Sequence, residues 1–268
     1  MDVKMSRGQQ TMDDHDDSSL WVRCYNPSPD PSVRLVCLPH AGGSASFFLP
    51  VSRALSPACE VLSIQYPGRQ DRRSEPPISN IAEISDAVAT QLKAWTDRPL
   101  ALFGHSMGAL IAYEVALRLQ AIGTDPVALF VSGRRAPSRF REEKKVHLLD
   151  DRGLLAEIIR MEGTDQRLLN DSDLMSSLLP VIRSDYCAVE TYRPDPESRV
   201  TVPVYAHIGV DDPRVSVDEA NDWRLHTSGQ FRLHTYPGGH FYLIGESGKL
   251  IDSMSQILSE ITSNRVGS

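Results

Sequence analysis

The stretch Leu100-Ala101-Leu102-Phe103-Gly104-His105-Ser106-Met107-Gly108, followed at once by an apolar run over 109–119, narrows the folds open to this chain more than any other feature. The short run 100–103 reads as a strand and 109–119 as a helix. The five residues from Gly104 to Gly108 must then make a sharp strand-to-helix turn, a nucleophile elbow. Such a turn strains the backbone angles of the serine and needs glycine on either side, because a Cβ there would collide with the neighbouring strand or helix. A serine hydroxyl is a weak nucleophile at neutral pH. It is activated by exposure beside a base and beside donors that meet a developing oxyanion. Ser106 is therefore the candidate nucleophile, and the strand before it and helix after it carry that reading, since the bare five-residue pattern is common.

Along the chain, a near-continuous apolar run predicts a strand over 33–38, preceded by a weaker one around 21–25. The loop Pro39-His40-Ala41-Gly42-Gly43-Ser44 follows, with glycines that leave backbone N–H groups able to face a ligand. A helix over 47–55, a strand over 61–66, the turn Pro67-Gly68-Arg69 and a helix over 81–95 lead to the elbow. The helix after it is apolar almost all round, with Glu114 and Arg118 four apart on one face as its only charges from 109 to 119, so one narrow stripe meets water. A strand over 127–131 continues the alternation that indicates a parallel sheet.

The rhythm then stops. From about 136 to 199 there is no strand-like run, only basic residues, a short amphipathic helix at 154–161 and a segment 173–192 interrupted by Pro180. A helical insertion in a sheet protein usually covers something, and this one is expected to be a lid over the site. Alternation resumes with strand 204–208, helix 218–227, strand 231–236 and a terminal helix over 249–262. The fold expected is α/β: a mostly parallel central sheet with helices on both faces and a helical lid insertion.

A serine needs a base, and the base an orienting acid. In an α/β-hydrolase they follow the serine in the order acid, histidine, each on a loop after a strand. His240, in Pro237-Gly238-Gly239-His240-Phe241, directly follows the last strand and is the candidate base. Two aspartates compete in Gly209-Val210-Asp211-Asp212-Pro213. Asp212 is preferred because Pro213-Arg214-Val215 completes a GxxDxxV pattern that resembles the hydrolase acid loop, which leaves Asp211 as a turn or capping residue. His105 should point away from its neighbour Ser106 and pack locally, and His40 should brace its loop. The backbone N–H groups of Met107 and Ala41 are the expected oxyanion donors.

At 268 residues and 41% hydrophobic, the chain can bury one substantial core, and a single domain over 20–268 is expected. A net charge of -7 argues against nucleic acid as the main partner. Residues 1–19 are polar and aspartate-rich without an apolar core, which reads as a disordered tail rather than a signal peptide. No apolar run is long enough to span a bilayer, and Cys24, Cys37, Cys59 and Cys187 show no CxxC spacing. These features lead to the expectation of a soluble, cytoplasmic protein with reduced thiols.

Pro39-His40-Ala41-Gly42-Gly43-Ser44, Tyr66-Pro67-Gly68-Arg69, Gly104-His105-Ser106-Met107-Gly108, Ser132-Gly133-Arg134-Arg135-Ala136-Pro137 and Gly238-Gly239-His240-Phe241 together resemble the type II thioesterases that accompany modular polyketide and nonribosomal peptide synthetases. The likeness runs from about 35 to 257 with the motifs in the family's order. It implies a serine thioesterase that frees carrier proteins of aberrant or stalled acyl, aminoacyl or peptidyl groups. It also implies acyl or peptidyl carrier domains as partners, with the phosphopantetheine on the partner and neither metal nor dissociable cofactor on this chain, and a monomer is expected. The basic residues Arg134, Arg135, Arg139, Arg141, Lys144 and Lys145, in an otherwise acidic protein, are a candidate docking surface for an acidic carrier. A chain-terminating fatty-acyl thioesterase, a general serine esterase and a noncatalytic binding protein on the same scaffold remain as alternatives.

Overall fold

The computed structural model describes residues 20–141, 144–160 and 172–266; the tail expected over 1–19 lies outside them. In chain order the elements are β1 (Val22–Cys24), β2 (Val33–Leu38), α1 (Leu49–Leu55), β3 (Cys59–Ile64), α2 (Ile81–Leu92), β4 (Leu100–His105), α3 (Met107–Ala121), β5 (Ala128–Ser132), α4 (Asp151–Arg160) and α5 (Ser172–Thr191). They continue with β6 (Val204–Gly209), α6 (Val217–Asn221), β7 (Phe231–Tyr236), α7 (Tyr242–Gly245) and α8 (Ser247–Val266). The strands form one seven-stranded sheet in the order β1-β3-β2-β4-β5-β6-β7. Only the pairing of β1 with β3 is antiparallel.

Alternate residues of the parallel strands feed two cores. Val36, Leu38, Leu102, Leu129 and Val131 pack under α2 and α3, whereas Leu35, Cys37, Ala101, Phe103 and Phe130 meet Phe48, Leu55 and the α8 residues Met254 and Ile257. Both faces are thus covered, which is why these strands are apolar on both faces rather than at every second position, with few polar residues among them. Each large side chain sunk this way contributes roughly 1.5–3 kcal/mol. Helix α3 lies inside the first core, buried from Met107 to Leu119 apart from a stripe at Glu114, Leu117 and Arg118. The stripe is closed by the ion pair Arg118 to Glu114 at 2.5 Å, and Tyr192 donates to Glu114 at 2.7 Å.

Several limits differ from the sequence expectation, among them the helix expected over 218–227, which is α6 over Val217–Asn221 followed by a tighter 3-10 turn over Asp222–His226, and two of the differences bear on the site. Strand β3 ends at Ile64 instead of running to Tyr66: the Gln65 N–H still donates to Trp21 O at 2.8 Å, but its side chain serves the flanking loops, the carbonyl taking the Ala45 N–H at 2.8 Å and the amide donating to Arg69 O at 3.1 Å. Helix α5 runs unbroken through Pro180. A proline inside a helix forfeits one backbone hydrogen bond and costs about 3 kcal/mol. The helix survives because Leu178, Leu179, Ile182 and Tyr186 pack with Val146, Leu154, Ile158 and Met175 into a separate small core above the sheet. Tertiary packing here outweighs local propensity.

All four cysteines are free thiols, and among the described residues no helix is long and apolar enough to cross a membrane. His207, on β6, is fully buried, bonded through Nδ1 to the Tyr236 hydroxyl at 2.9 Å and stacked on His234 with ring centroids 4.8 Å apart. Burial, helped by the neighbouring His234, pushes His207 down from 6.5 to about 3. The unfolded chain therefore takes up this proton first as pH falls. The stability tied to the neutral ring is complete above about pH 6.5 and is lost as pH drops toward 3, by at most about 1.4 kcal/mol per pH unit. Thermal melts should accordingly fall between pH 7 and pH 5, and His207→Gln should flatten that fall. Parallel pH profiles for the two proteins would contradict the assignment.

Candidate active site

Ser106 sits at the junction of β4 and α3 with φ 56° and ψ -111°, in the left-handed region that a non-glycine residue occupies only under constraint. The constraint is visible in its neighbours. A Cβ on Gly104 would stand 2.0 Å from the Gly108 carbonyl oxygen, and a Cβ on Gly108 would stand 2.0 Å from that of Leu38. At Gly104 and Gly108 the strand, the helix and the end of β2 meet backbone to backbone, and the serine is the residue left to turn the corner. Its N–H is fixed to Ser132 O at 2.8 Å.

The loops after β6 and β7 bring the two partners over the sheet. His240 Nε2 lies 3.0 Å from Ser106 Oγ, and His240 Nδ1 lies 2.8 Å from Asp212 Oδ2. The other carboxylate oxygen of Asp212 accepts the Arg214 N–H at 2.8 Å, so the acid is aimed from both sides. Its side chain is wholly shielded from solvent. Asp211 points outward and is exposed, and its own N–H closes the turn onto Gly238 O at 3.0 Å. Of the two aspartates that competed in the sequence, the structure brings Asp212 to the histidine.

Two further rings surround His240. His105 is fully buried, with Nδ1 3.0 Å from Ser132 Oγ, which in turn lies 2.7 Å from the Tyr242 hydroxyl. His40 stands edge-on to Phe47 and Phe241, with centroids 4.8 and 4.9 Å apart. Burial, reinforced by the charge His240 would carry, holds His105 well below the ordinary histidine range and lowers His40 to about 3. Both stay neutral at physiological pH. Their roles as packed braces were expected, but the Tyr242–Ser132–His105 chain was not, because its members come from three elements far apart in sequence, the ends of β4 and β5 and the start of α7.

Met107 is the first residue of α3, so its N–H is one of the donors with no carbonyl inside the helix, at the end that favours negative charge. Ala41 lies on the loop after β2, beside Ser106 on the wall of a cavity of about 860 Å³. The adjacent Gly42 N–H is already spent on Asp185 Oδ2 at 2.7 Å. Ile158, Leu178, Ile182 and Tyr186 from α4 and α5 form the apolar roof of the same cavity. The helices between β5 and β6 thus cover the serine, as the interruption of the strand rhythm suggested.

Basic residues rim this cavity, but the structure divides them. Arg139 is paired with Asp222 at 2.5 Å and Arg141 with Glu219 at 2.5 Å, both acids lying at or just after α6. Arg135 is buried and bonds the carbonyls of Arg139 and Arg214 at 3.0 and 3.3 Å. Much of the run therefore ties the β5 loop to its surroundings. Lys144 and Lys145 are exposed at the cavity edge.

A mostly parallel sheet with a serine on the turn after its middle strand, an acid after β6 and a histidine after β7 defines an α/β-hydrolase. Within that class the thioesterase domain family matches residues 33–258, and the chain belongs to it. It is 49% identical over 244 residues to the thioesterase PikA5 of Streptomyces venezuelae, covering 90% of this chain and 86% of the relative. The solved structure of the type II thioesterase BorB from the borrelidin biosynthetic cluster matches with a TM-score of 0.84 at 46% identity, over 91% of this chain and 98% of that one. The thioesterase RedJ from the prodiginine pathway of Streptomyces coelicolor matches with a TM-score of 0.81 at 34% identity, over 87% and 94% of the two chains.

The geometry separates the two aspartates experimentally. Asp212→Asn should lower kcat for thioester hydrolysis by roughly 10³–10⁴-fold, since the imidazole loses its orienting charge. Asp211→Asn should stay within about twofold of wild type, as an exposed turn residue should. Steady-state kinetics on one acyl-pantetheine thioester decide between them, and a reversed ranking would contradict the assignment of the acid.

Proposed function

We propose that this protein is a serine thioesterase of the editing type, removing aberrant or stalled acyl and aminoacyl groups from the phosphopantetheine arm of carrier proteins in polyketide or nonribosomal peptide synthesis. The single observation that carries the chemistry is the hydrogen-bonded line from Ser106 through His240 to Asp212, opening on a roofed cavity. The sequence likeness to PikA5 and the structural likeness to BorB support the substrate class.

In this reading Ser106 Oγ attacks the thioester carbonyl carbon while His240 Nε2 takes its proton. The carbonyl oxygen becomes an oxyanion held by the N–H groups of Ala41 and Met107. As the tetrahedral centre collapses the C–S bond breaks, and His240 returns the proton to the departing pantetheine sulfur, freeing the carrier thiol. Water then enters, His240 removes one of its protons, and the hydroxide adds to the acyl ester carbon. The C–O bond to Ser106 breaks, the serine regains its proton from His240, and a carboxylic acid leaves. Asp212 keeps the ring in one tautomer and stabilises the imidazolium in both halves. Each step is supplied by side chains and backbone of this chain, so no dissociable cofactor enters the proposal, and the phosphopantetheine belongs to the partner.

The apolar roof favours a second reading. Leu178, Ile182 and Tyr186 line space that also suits a long fatty chain, as a chain-terminating enzyme would need. The two readings part on acyl length and on the carrier. Hydrolysis should be compared for acetyl and longer acyl groups on a holo-carrier protein and on a small pantetheine thioester, with Ser106→Ala as control. Faster release of short carrier-bound groups, abolished in the variant, is the expected result. A preference for long free thioesters would overturn the editing role.

The rim adds a separate prediction. Reversing Lys144 and Lys145 to Glu should raise KM for an acidic acyl carrier by roughly three- to tenfold at low salt and leave the small thioester unaffected. Equal effects on both substrates would remove these lysines from docking.

A further inference from the structure

The loop after β2 is fastened by a residue of the roof. Asp185, on α5, has no solvent exposure, and its carboxylate collects three N–H groups. Gly42 N–H and Arg69 Nη1 donate to Oδ2 at 2.7 and 2.9 Å, and Arg69 Nη2 donates to Oδ1 at 2.9 Å. Arg69, itself 3% exposed, also donates from Nη1 to Gly43 O at 3.1 Å and from Nε to Pro67 O at 3.3 Å. Its guanidinium stands 5.1 Å from the centroid of the Tyr66 ring. Both charges are out of water, paired through a two-pronged contact and hydrogen-bonded to backbone. Gly42 itself has φ +74°, and a Cβ there would lie 2.9 Å from Ile182 Cγ1, three residues before Asp185 on the same helix. Two residues of α5 thus bear on the peptide that follows Ala41, Asp185 by a hydrogen bond and Ile182 by leaving no room for a side chain at Gly42.

Stability alone is a weak reason for such a pair. Taking two charges out of water costs several kcal/mol each, and a well-packed apolar pair of similar volume commonly does as well. The helix offers an apolar stripe for one: Leu178, Ile182 and Val189 share the face that Asp185 interrupts. What an apolar pair would not supply is an acceptor for the Gly42 N–H. Without it the Ala41–Gly42 peptide loses that anchor and the turn is held by Gly43 N–H to His40 O at 2.9 Å, so the preceding peptide, which carries the Ala41 N–H, is less firmly aimed; an oxyanion donor misplaced by about 1 Å can cost on the order of a hundredfold in rate.

We propose that Asp185 is a positioning residue of the oxyanion loop, with Arg69 holding its carboxylate in register. The inference rests on the reading of the Ala41 N–H as an oxyanion donor. In consequence the roof helix and the oxyanion loop move as one body, so catalysis depends on how α5 is seated as well as on the sheet.

The test uses the full chain and a small acyl-pantetheine thioester, which needs no carrier docking. Asp185→Ala should lower kcat by roughly ten- to a hundredfold with KM within about twofold of wild type. Affinity for a trifluoromethyl ketone analogue, whose Ser106 adduct carries an oxyanion, should weaken by a similar factor. Asp185→Asn, which keeps an acceptor for Gly42, should recover much of both losses. The double variant Asp185→Leu with Arg69→Met removes both charges without leaving either unpaired, and it decides the matter if Asp185→Ala does not fold. It should melt near the wild-type temperature yet keep the lowered kcat and weak ketone binding. Wild-type kcat and ketone affinity in the double variant would reduce the pair to a structural role and overturn the proposal. Ser106→Ala measured in parallel separates the two levels. Turnover that survives in that variant defeats the serine mechanism itself, whereas Ser106-dependent turnover with an unaffected Asp185→Ala defeats only the positioning role.

Discussion

Backbone meets backbone where β4 passes into α3, and the rest of the site depends on that contact. With Gly104 against the Gly108 carbonyl and Gly108 against that of Leu38, no side chain fits at either position. Three consequences follow from one approach. Ser106 is forced into its left-handed conformation, the N-terminus of α3 is delivered beside its hydroxyl, and the end of β2 is drawn alongside, so that the loop carrying Ala41 starts next to the nucleophile. The glycines are thus a condition for the site's existence, although neither contributes a functional group.

The second organising principle is selective desolvation. Three imidazoles gather around the serine, with His105 and His240 centroids 5.0 Å apart and His40 and His105 centroids 5.9 Å apart. Burial disfavours the charged form of His105 and His40, whereas His240 has the Asp212 carboxylate within hydrogen-bonding reach at 2.8 Å. The two neighbours are held neutral, partly by the prospect of charge on His240. A proton taken from Ser106 therefore has one ring to occupy. The same low-polarity surroundings strengthen the attraction between that ring and Asp212 once the charge appears.

Much of this was legible in the sequence. The alternation of apolar runs fixed the parallel sheet, and the elbow, the glycine-flanked His240 and the acid loop were readable as short-range patterns. Strands β2 and β7 match their expected limits of 33–38 and 231–236 to the residue, because turn residues bound them closely. What escaped was decided by contacts between distant segments. The loops that the Gln65 side chain ties together beyond the end of β3 lie far apart in sequence. The persistence of α5 through Pro180 depends on a small core assembled from three elements. The basic run reads in sequence as a candidate docking surface, whereas Asp222 and Glu219, some eighty residues on, pair with Arg139 and Arg141. Asp185 did leave a local trace, a lone acid in an apolar helical stripe. Its partner Arg69 is 116 residues away, and no periodicity could name it.

The central claim is that chemistry runs through an acyl group carried on Ser106, and the most direct measurement is intact-mass and peptide-mapping spectrometry of the protein quenched during turnover of an acyl-holo-carrier. The account predicts a transient mass increase equal to the acyl group, mapped to the peptide bearing Ser106 and missing in Ser106→Ala. Turnover without any such adduct, or an adduct on another residue, would contradict it.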